Sequence, residues 1–156
     1  MKISLVRIDN RLLHATVAIN WSSFLNASEI MLVDPTYVDD PFIEKVLQLS
    51  LPKKIKINIC SVTQLTKNLE ERKGIKGNVI IIFKSLQILE EAVEKGFYFP
   101  EIQIPYPASS ILLKQAEEYF SQDERNTIAN LVKKNIKFYL QTVPMESKNY
   151  AIFKKK

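Results

Sequence analysis

The stretch Asn78-Val79-Ile80-Ile81-Ile82-Phe83 decides the fold class of this chain. Its unbroken apolar run, mostly β-branched, predicts a β-strand buried on both faces, because a half-exposed strand alternates apolar and polar residues. Strands of this kind are typical of a parallel sheet that has helices on both sides. Lys84 and Ser85 follow directly, and an amphipathic stretch begins at Leu86. The strand is therefore predicted to lead straight into a helix.

Similar apolar runs recur along the chain. They are Ile3–Ile8, Glu29–Asp34, Ile55–Cys60, Glu101–Ile104 and Ile136–Val143. The stretches between them have helical spacing, as in Phe42, Val46 and Leu49. Helix starts are indicated at Asp40-Pro41, Ser61, Ser85 and, with a capping box to Glu124, Ser121. Alternating strands and helices predict a doubly wound α/β domain.

Residues 109–120 fit this alternation least well. Their intrinsic propensity predicts a helix, although Tyr119 and Phe120 are also compatible with a short antiparallel edge strand. Both alternatives stay open from the sequence.

Length and composition predict one globular domain over residues 1–156, with residues 153–156 as a flexible basic tail. Apolar residues make up 46% of the chain and charged residues 25%, which excludes a disordered or fibrous protein. The longest apolar run, five residues, is too short to span a membrane, and the start lacks a secretory cleavage site. The single cysteine, Cys60, fits a reducing compartment. A cytoplasmic protein is expected.

The net charge of +5 says little about partners. Lys154, Lys155 and Lys156 supply three of these charges, so the rest of the chain carries about +2, short of the basic stripe of a nucleic-acid binder. No nucleic-acid partner is expected.

In an open α/β sheet, ligands bind beyond the carboxyl ends of the strands. The first strand leads into Arg7-Ile8-Asp9-Asn10-Arg11-Leu12-Leu13-His14, which contains the only histidine. The second strand ends at Asp34, the fourth at Lys84-Ser85, and the fifth leads into Pro105-Tyr106-Pro107. These residues are predicted to converge on one edge.

His14 is the first candidate for chemistry, since a neutral imidazole is a competent nucleophile near pH 7. Asp9 is placed to hold the other ring nitrogen, and Arg7 and Arg11 to grip a phosphoryl group. Lys84 and Ser85 are candidates to complete the anion site. Asp34 is either a further site residue or a capping carboxylate. The residues alone also allow a structural histidine that bonds a backbone carbonyl.

Other site types lack the residues they need. One histidine and one cysteine do not provide metal-ligand spacing, so no metal is expected. Neither a P-loop nor GxGxxG is present, so nucleotide binding has no motif behind it.

The stretch Arg7–His14 resembles the R-I-D-[DN]-R-L-[IL]-H loop of IIB components in the mannose/fructose/sorbose family of the bacterial phosphoenolpyruvate-dependent sugar phosphotransferase system (PTS). The resemblance extends over essentially the whole chain. Supporting segments are Val33-Asp34, Asp40-Pro41-Phe42, Phe83-Lys84 and Gln141-Thr142-Val143-Pro144.

The resemblance implies a three-layer α/β/α fold with a six-stranded, mainly parallel sheet of order 3-2-4-1-5-6. It also implies that His14 takes a phosphoryl group from a IIA protein and passes it to a sugar held by membrane IIC and IID partners. The protein would then be peripherally associated with the inner face of the membrane through those partners, with no cofactor beyond the transient phosphoryl group. Family members often associate, so a homodimer is an expectation.

Two departures from the family pattern keep other functions open. Ala15-Thr16 replace the usual Gly-Gln after the histidine, and Pro105-Tyr106-Pro107 replace a Gly-Gly turn. A glycine lost at the junction of loop and helix restricts the backbone. The alternatives are a binding or regulatory module with little phosphate turnover, and an enzyme that acts on small phosphorylated metabolites without a partner.

Overall fold

The computed structural model describes residues 1–107 and 116–154, the side chains of residues 116 and 117 excepted. Its strands form one sheet in the order β3-β2-β4-β1-β5-β6, and every neighbouring pair of strands is parallel. The strands are β1 (Lys2–Ile8), β2 (Ala27–Val33), β3 (Lys56–Cys60), β4 (Asn78–Phe83), β5 (Glu101–Ile104) and β6 (Lys137–Leu140). The predicted fold class and strand order are confirmed.

Helices connect the strands and cover both faces of the sheet. A π-helix, Thr16–Trp21, continues into α1 (Ser22–Phe24). The remaining α-helices are α2 (Pro41–Leu49), α3 (Val62–Glu71), α4 (Leu86–Glu94), α5 (Ala116–Tyr119) and α6 (Gln122–Val132), and a 3-10 turn covers Ala151–Phe153. Within the described ranges, no helix is long and apolar enough to cross a bilayer.

The predicted helix starts are confirmed by their hydrogen bonds. The side chains of Asp40, Ser61, Ser85 and Ser121 each accept hydrogen bonds from backbone N–H groups in the first turn of the helix that follows. These bonds satisfy donors that the helix itself leaves unpaired.

The core lies on both sides of β4, as its unbroken apolar run predicts. Val79, Ile81 and Phe83 pack with helices α3, α4 and α6 on one face. Ile80 and Ile82 pack with the π-helix and α2 on the other face. All five side chains are fully buried.

Helix α2 turns a different face to the sheet from the one that its spacing suggests. Phe42, Val46 and Leu49 have helical spacing, yet 71%, 46% and 87% of their surface is exposed. Ile43 and Leu47 pack against the core instead. Both sets fit a helical period, so spacing alone does not identify the buried face.

Two segments near the carboxyl half differ from the predicted bounds. Strand β6 ends at Leu140, and Gln141–Val143 begin a loop. Tyr119 is the last residue of α5 and Phe120 is buried after it, so this described part of the segment 109–120 forms no edge strand. Its residues 109–115 lie outside the described ranges. The antiparallel pairing seen in the described chain is one isolated bridge, Leu140 with Asn149.

Phe153, in the last described turn, packs against two core aromatic rings. Its ring lies 5.8 Å from those of Phe120 and of Phe138, measured between centroids. Residue 153, assigned from the sequence to the basic tail, thus packs against the core.

Candidate functional site

The loop that contains His14 leaves the sheet where the strand order reverses. Strand β1 lies between β4 and β5, with Ile8 beside Phe83 and Arg7 beside Gln103. From β1 the chain crosses to β2 on one side, and β5 lies on the other. Open α/β sheets bind ligands at such switch points. The fold therefore places the His14 loop where a site is expected.

The backbone brings Asp9 and His14 together. Asp9 N–H donates to the carbonyl of Phe83 at 2.9 Å, and the carbonyl of Asp9 accepts from Leu12 N–H at 3.0 Å. Leu12 takes up a left-handed conformation, with φ +55°, and thereby closes a tight turn. Nε2 of His14 then lies 2.8 Å from Oδ2 of Asp9. The structure thus places the predicted orienting carboxylate beside the histidine.

Asp9 accepts hydrogen bonds from three side chains. Oδ2 accepts from Nε of Arg7 at 3.1 Å and from Nη2 of Arg11 at 3.2 Å, besides the bond with His14. Oδ1 accepts from the backbone N–H and from Nε of Arg11, both at 3.1 Å. Burial would raise the pKa of Asp9, but the bonds from Arg11 and His14 and the charge of Arg7 bring it below its usual value. Asp9 is therefore ionised at neutral pH.

An ionised Asp9 determines which nitrogen of His14 carries the proton. A carboxylate accepts hydrogen bonds and donates none, so Nε2 must be the protonated nitrogen in a neutral ring. Nδ1 then carries the free lone pair, and it makes no hydrogen bond to any described residue. Because 18% of the side chain is exposed, the ring has a path to solvent.

Arg7 lies beneath Asp9 and is fully buried, although the sequence placed it beside a phosphoryl group. Nη1 donates to Oε1 of Gln103 at 2.6 Å and to the carbonyl of Thr142 at 3.2 Å. Nη2 is buried with no hydrogen-bond partner in the described chain. Burial lowers the pKa of Arg7 and the carboxylate of Asp9 opposes this shift. Arg7 thus supports the loop from inside.

Arg11 lies on the outside of the same carboxylate. Its side chain is 55% exposed, whereas that of Asp9 is almost fully buried. Nε and Nη2 are directed at Asp9, so the guanidinium is held at the surface of the loop. Asn10 and Ala15 of this loop are exposed, and Thr16 is half-buried. The His14 carbonyl accepts from the N–H groups of residues 17 and 18, at the start of the π-helix.

Lys84 and Asp34 form a second charged pair at the same edge. Nζ of Lys84 lies 3.5 Å from Oδ2 of Asp34 and 5.5 Å from the ring centroid of Tyr37. The Asp34 side chain is fully buried and its Oδ1 accepts from Thr36 N–H at 2.8 Å. Oγ of Ser85 accepts from Ile88 N–H at 3.3 Å as a helix cap. Asp34 thus stabilises the turn after β2, and Ser85 stabilises the start of α4.

Thr142 joins several segments around the site, and sequence reasoning did not identify it as a site residue. Its carbonyl accepts from Nη1 of Arg7 and, at 2.8 Å, from Nε1 of Trp21. Its Oγ1 accepts from Tyr106 N–H at 2.9 Å, and its N–H donates to a carboxylate oxygen of Glu146 at 2.7 Å. The signal for it in the sequence is the segment Gln141–Pro144, which resembles the family pattern.

An open cleft of about 1250 Å³ adjoins the His14 loop. Its lining includes Arg11 and Lys84, together with Tyr106, Phe120 and Met145. The cleft therefore combines exposed cations with apolar surface. In the described part of the chain, no three His, Cys, Asp or Glu side chains are grouped to hold a metal ion.

Curated relatives share moderate sequence identity with this chain. The mannose-specific EIIAB component of Escherichia coli is 25% identical over 126 residues, 81% of this chain and 39% of that protein. The chain thus spans well under half the length of that relative. The sorbose-specific EIIB component of Klebsiella pneumoniae is 26% identical over 145 residues, 92% of this chain and 88% of that protein.

Solved structures share the fold. The IIB domain of the sorbose permease from Klebsiella pneumoniae superposes with a TM-score of 0.80 at 22% identity, covering 98% of this chain and 95% of that one. An N-acetylgalactosamine IIB component from Streptococcus pyogenes has a TM-score of 0.83 at 19% identity, covering 99% and 98%.

The family model described as "PTS system sorbose subfamily IIB component" matches residues 3–156. With nearly the whole chain matched, this protein belongs to the sorbose subfamily of PTS IIB components, a family that takes part in the phosphorylation of sugars.

Proposed function

We propose that His14 accepts a phosphoryl group from a IIA protein and transfers it to a sugar bound by membrane IIC and IID partners. The observation that carries this proposal is the 2.8 Å contact between Nε2 of His14 and Oδ2 of Asp9. Because Asp9 is ionised, this contact leaves Nδ1 as the nucleophilic nitrogen. The family membership supports the reaction class.

In the first step, the Nδ1 lone pair attacks phosphorus, and the bond from phosphorus to the donor histidine breaks. His14 then carries the phosphoryl group on Nδ1 and its original proton on Nε2. Asp9 stabilises the positive charge that develops on the ring. In the second step, a sugar hydroxyl attacks phosphorus, the bond to Nδ1 breaks, and the hydroxyl proton passes to solvent or to a base of the transporter.

Two cations at the protein surface support the transfer. Arg11 is 55% exposed, and Lys84 is 36% exposed beside the cleft. Apart from the nucleophile itself, phosphoryl transfer depends on positioning and charge stabilisation by the protein. Exposed cations serve a carrier well, because the phosphoryl group must leave again to a second partner. Arg7 acts as a positioning residue, since it holds Asp9 from the buried side.

This chemistry needs no resident cofactor, because the phosphoryl group is itself the cargo. The site of action in this proposal is the inner face of the bacterial membrane, where the sugar transporter is reached. The sugar is contacted only through the phosphoryl group on His14, so its identity depends on the membrane partners.

A regulatory module is the second candidate, and one observation favours it. Nε and Nη2 of Arg11 already donate hydrogen bonds to Asp9, so fewer guanidinium N–H groups remain to bind a phosphoryl group. The change Ala15→Gly with Thr16→Gln separates the two functions. A regulatory module would gain transfer sharply, whereas a working carrier already transfers phosphate and would change little.

The proposal is tested by incubation with phosphorylated IIA and measurement of acid-labile phosphate. One phosphate per chain is expected in the unchanged protein and none in His14→Gln. The exposed helical change Gln87→Ala is the matched control and should incorporate phosphate normally. Incorporation that survives His14→Gln, or no incorporation in the unchanged protein, would contradict the proposal.

A further inference from the structure

The edge of the sheet opposite His14 is rich in lysine. All strands are parallel, so their amino ends share one edge, which also receives the ends of helices α2, α3, α4 and α6. We call this surface the lysine edge. Its lysines, all exposed, are Lys2, Lys53, Lys54, Lys56, Lys73, Lys76, Lys95, Lys133, Lys134 and Lys137. They make up nearly half of the 22 basic residues.

Acidic residues are fewer at this edge and lie within the helices and strands: Glu70 and Glu71 are the last residues of α3, Glu94 ends α4, Glu101 begins β5, and Glu29 is paired with Arg72. The connecting segments 50–55, 72–77, 95–100 and 133–136 contain no Asp or Glu. Lys73 pairs with Glu70 at 2.7 Å and Lys95 with Glu91 at 3.0 Å. The other eight lysines form no ion pair with a described residue. Lysines outnumber the carboxylates, so the edge carries an excess of positive charge.

Apolar side chains are exposed among these lysines. Leu49 ends α2 with 87% of its surface exposed, Ile75 lies between α3 and β4 with 52% exposed, and Tyr98 lies between α4 and β5 with 55% exposed. Lysines near helix ends are favoured by the negative end of the helix dipole. That effect accounts for the lysines, but it gives no reason for apolar side chains between them.

We propose that the lysine edge binds the surface of a membrane that contains anionic lipids. Lysines attracted to anionic headgroups, with apolar and aromatic side chains that enter the interface, are the combination that such surfaces select. The methylene groups of lysine side chains also contact apolar surface while their ammonium groups stay in water.

The chemistry of the edge favours lipids over nucleic acid or a phosphorylated protein. Recognition of individual phosphates favours arginine, whose planar fork binds two oxygens at once. The arginine among these segments, Arg72, is directed at Glu29 through Nε and Nη2, 2.6–2.9 Å from its carboxylate. Lysines spread over a surface are attracted to the negative potential of a lipid surface, whereas a ligand with individual phosphates would favour arginines.

Binding through this edge directs His14 away from the bilayer. Strand β1, the seven-residue strand that leads into the His14 loop, separates the two edges by about 20 Å. The His14 loop would stay open to a phosphodonor from solution while the protein is held at the membrane. The protein would leave the lipid surface before His14 meets the membrane partners of the proposed reaction. The binding itself does not depend on phosphotransfer, so it stands or fails independently of the proposed function.

The test is cosedimentation with phosphatidylcholine vesicles, with and without phosphatidylglycerol, at physiological ionic strength. Binding is expected only with phosphatidylglycerol. Lys53→Gln with Lys54→Gln should weaken it about 30-fold, as should Lys133→Gln with Lys134→Gln at the other end of the edge. The matched control, Lys45→Gln with Lys67→Gln on helix surfaces, should stay within about threefold of the unchanged protein. No binding, or equal loss in the control, would overturn the proposal.

A second pair of changes distinguishes lipid from other polyanions. Leu49→Ser with Ile75→Ser removes exposed apolar groups, so folding should be unaffected, as thermal unfolding checks. Vesicle binding should weaken about tenfold while retention on a heparin column stays unchanged. Vesicle binding that is insensitive to this change would overturn the lipid assignment and favour an acidic protein or nucleic acid.

Discussion

The ring of His14 and the carboxylate of Asp9 form one hydrogen-bonded unit, with Nε2 and Oδ2 2.8 Å apart. Arg7 donates to the same carboxylate from the buried side and Arg11 from the exposed side. This arrangement keeps Asp9 ionised and fixes the tautomer of the histidine. In the proposed reaction, the nucleophile is thereby prepared before any partner binds.

Replacing Asp9 by Asn should slow phosphorylation of His14 by about 10²–10⁴-fold, because an amide no longer fixes the tautomer or stabilises the charged ring. The change also leaves buried Arg7 without its carboxylate, which should cost about 3–5 kcal/mol of unfolding free energy. Phosphate incorporation and urea unfolding measure the two effects. Asp39→Asn, at an exposed position, is the control and should change neither.

The stability of the protein should depend on pH through Asp9. Its pKa is lower in the folded protein than the ordinary value of 3.8. The stabilisation is therefore fully present above about pH 4 and is lost as the pH falls through the folded pKa. Urea unfolding at a series of pH values should show a decrease below pH 4 that is smaller in Asp9→Asn. An equal decrease in both proteins would argue against an ionised, hydrogen-bonded Asp9.

The two arginines should respond differently to substitution. Arg11→Ala removes a side chain that is 55% exposed, so we expect a loss of unfolding free energy below about 1 kcal/mol. Phosphotransfer should nevertheless fall about tenfold or more, because a surface cation near the phosphoryl group is removed. Transfer rates and denaturant midpoints, measured on the same preparations, provide the comparison.

Arg7→Met should lose much more unfolding free energy than Arg11→Ala. Its guanidinium is fully buried and donates hydrogen bonds to Asp9, Gln103 and Thr142. Its removal should therefore lower the unfolding free energy by about 3–5 kcal/mol. A stable Arg7→Met variant that has lost only its phosphate transfer would show that Arg7 contacts the phosphoryl group directly.

Thr142→Val should loosen the loop that contains Tyr106. The substitution keeps the carbonyl that accepts from Arg7 and Trp21, but it removes the Oγ1 atom that accepts from Tyr106 N–H. We expect a loss of about 1–2 kcal/mol and faster hydrogen exchange at Tyr106. Thr142→Ser keeps the hydroxyl and should restore slow exchange. Equal exchange in the Val and Ser variants would exclude this role for Oγ1.

Much of the fold follows from local patterns in the sequence. The β-branched run Val79–Ile82 is buried on both faces of the sheet, and Ser121 with Glu124 forms the capping box that their spacing predicts. The face of α2 could not be predicted, because Phe42 and Ile43 both belong to helical apolar series. Only packing against the sheet distinguishes them.

The site was partly predictable for a similar reason. Asp9 and His14 are close in sequence, and a single turn through Leu12 brings them together. The burial of Arg7 depends on Gln103 and Thr142, which are 96 and 135 residues away along the chain. Contacts at such separations leave no local pattern, so the sequence identified Arg7 as a site residue but not which side of Asp9 it occupies.

Nuclear magnetic resonance of the phosphorylated protein with ¹⁵N-labelled histidine tests directly which nitrogen of His14 carries the phosphoryl group. Because His14 is the only histidine, its two ring nitrogens give unambiguous signals. We expect phosphorus coupled to Nδ1 and a proton retained on Nε2 in its hydrogen bond with Asp9. Phosphorus on Nε2, or an unmodified ring after incubation with phosphorylated IIA, would contradict it.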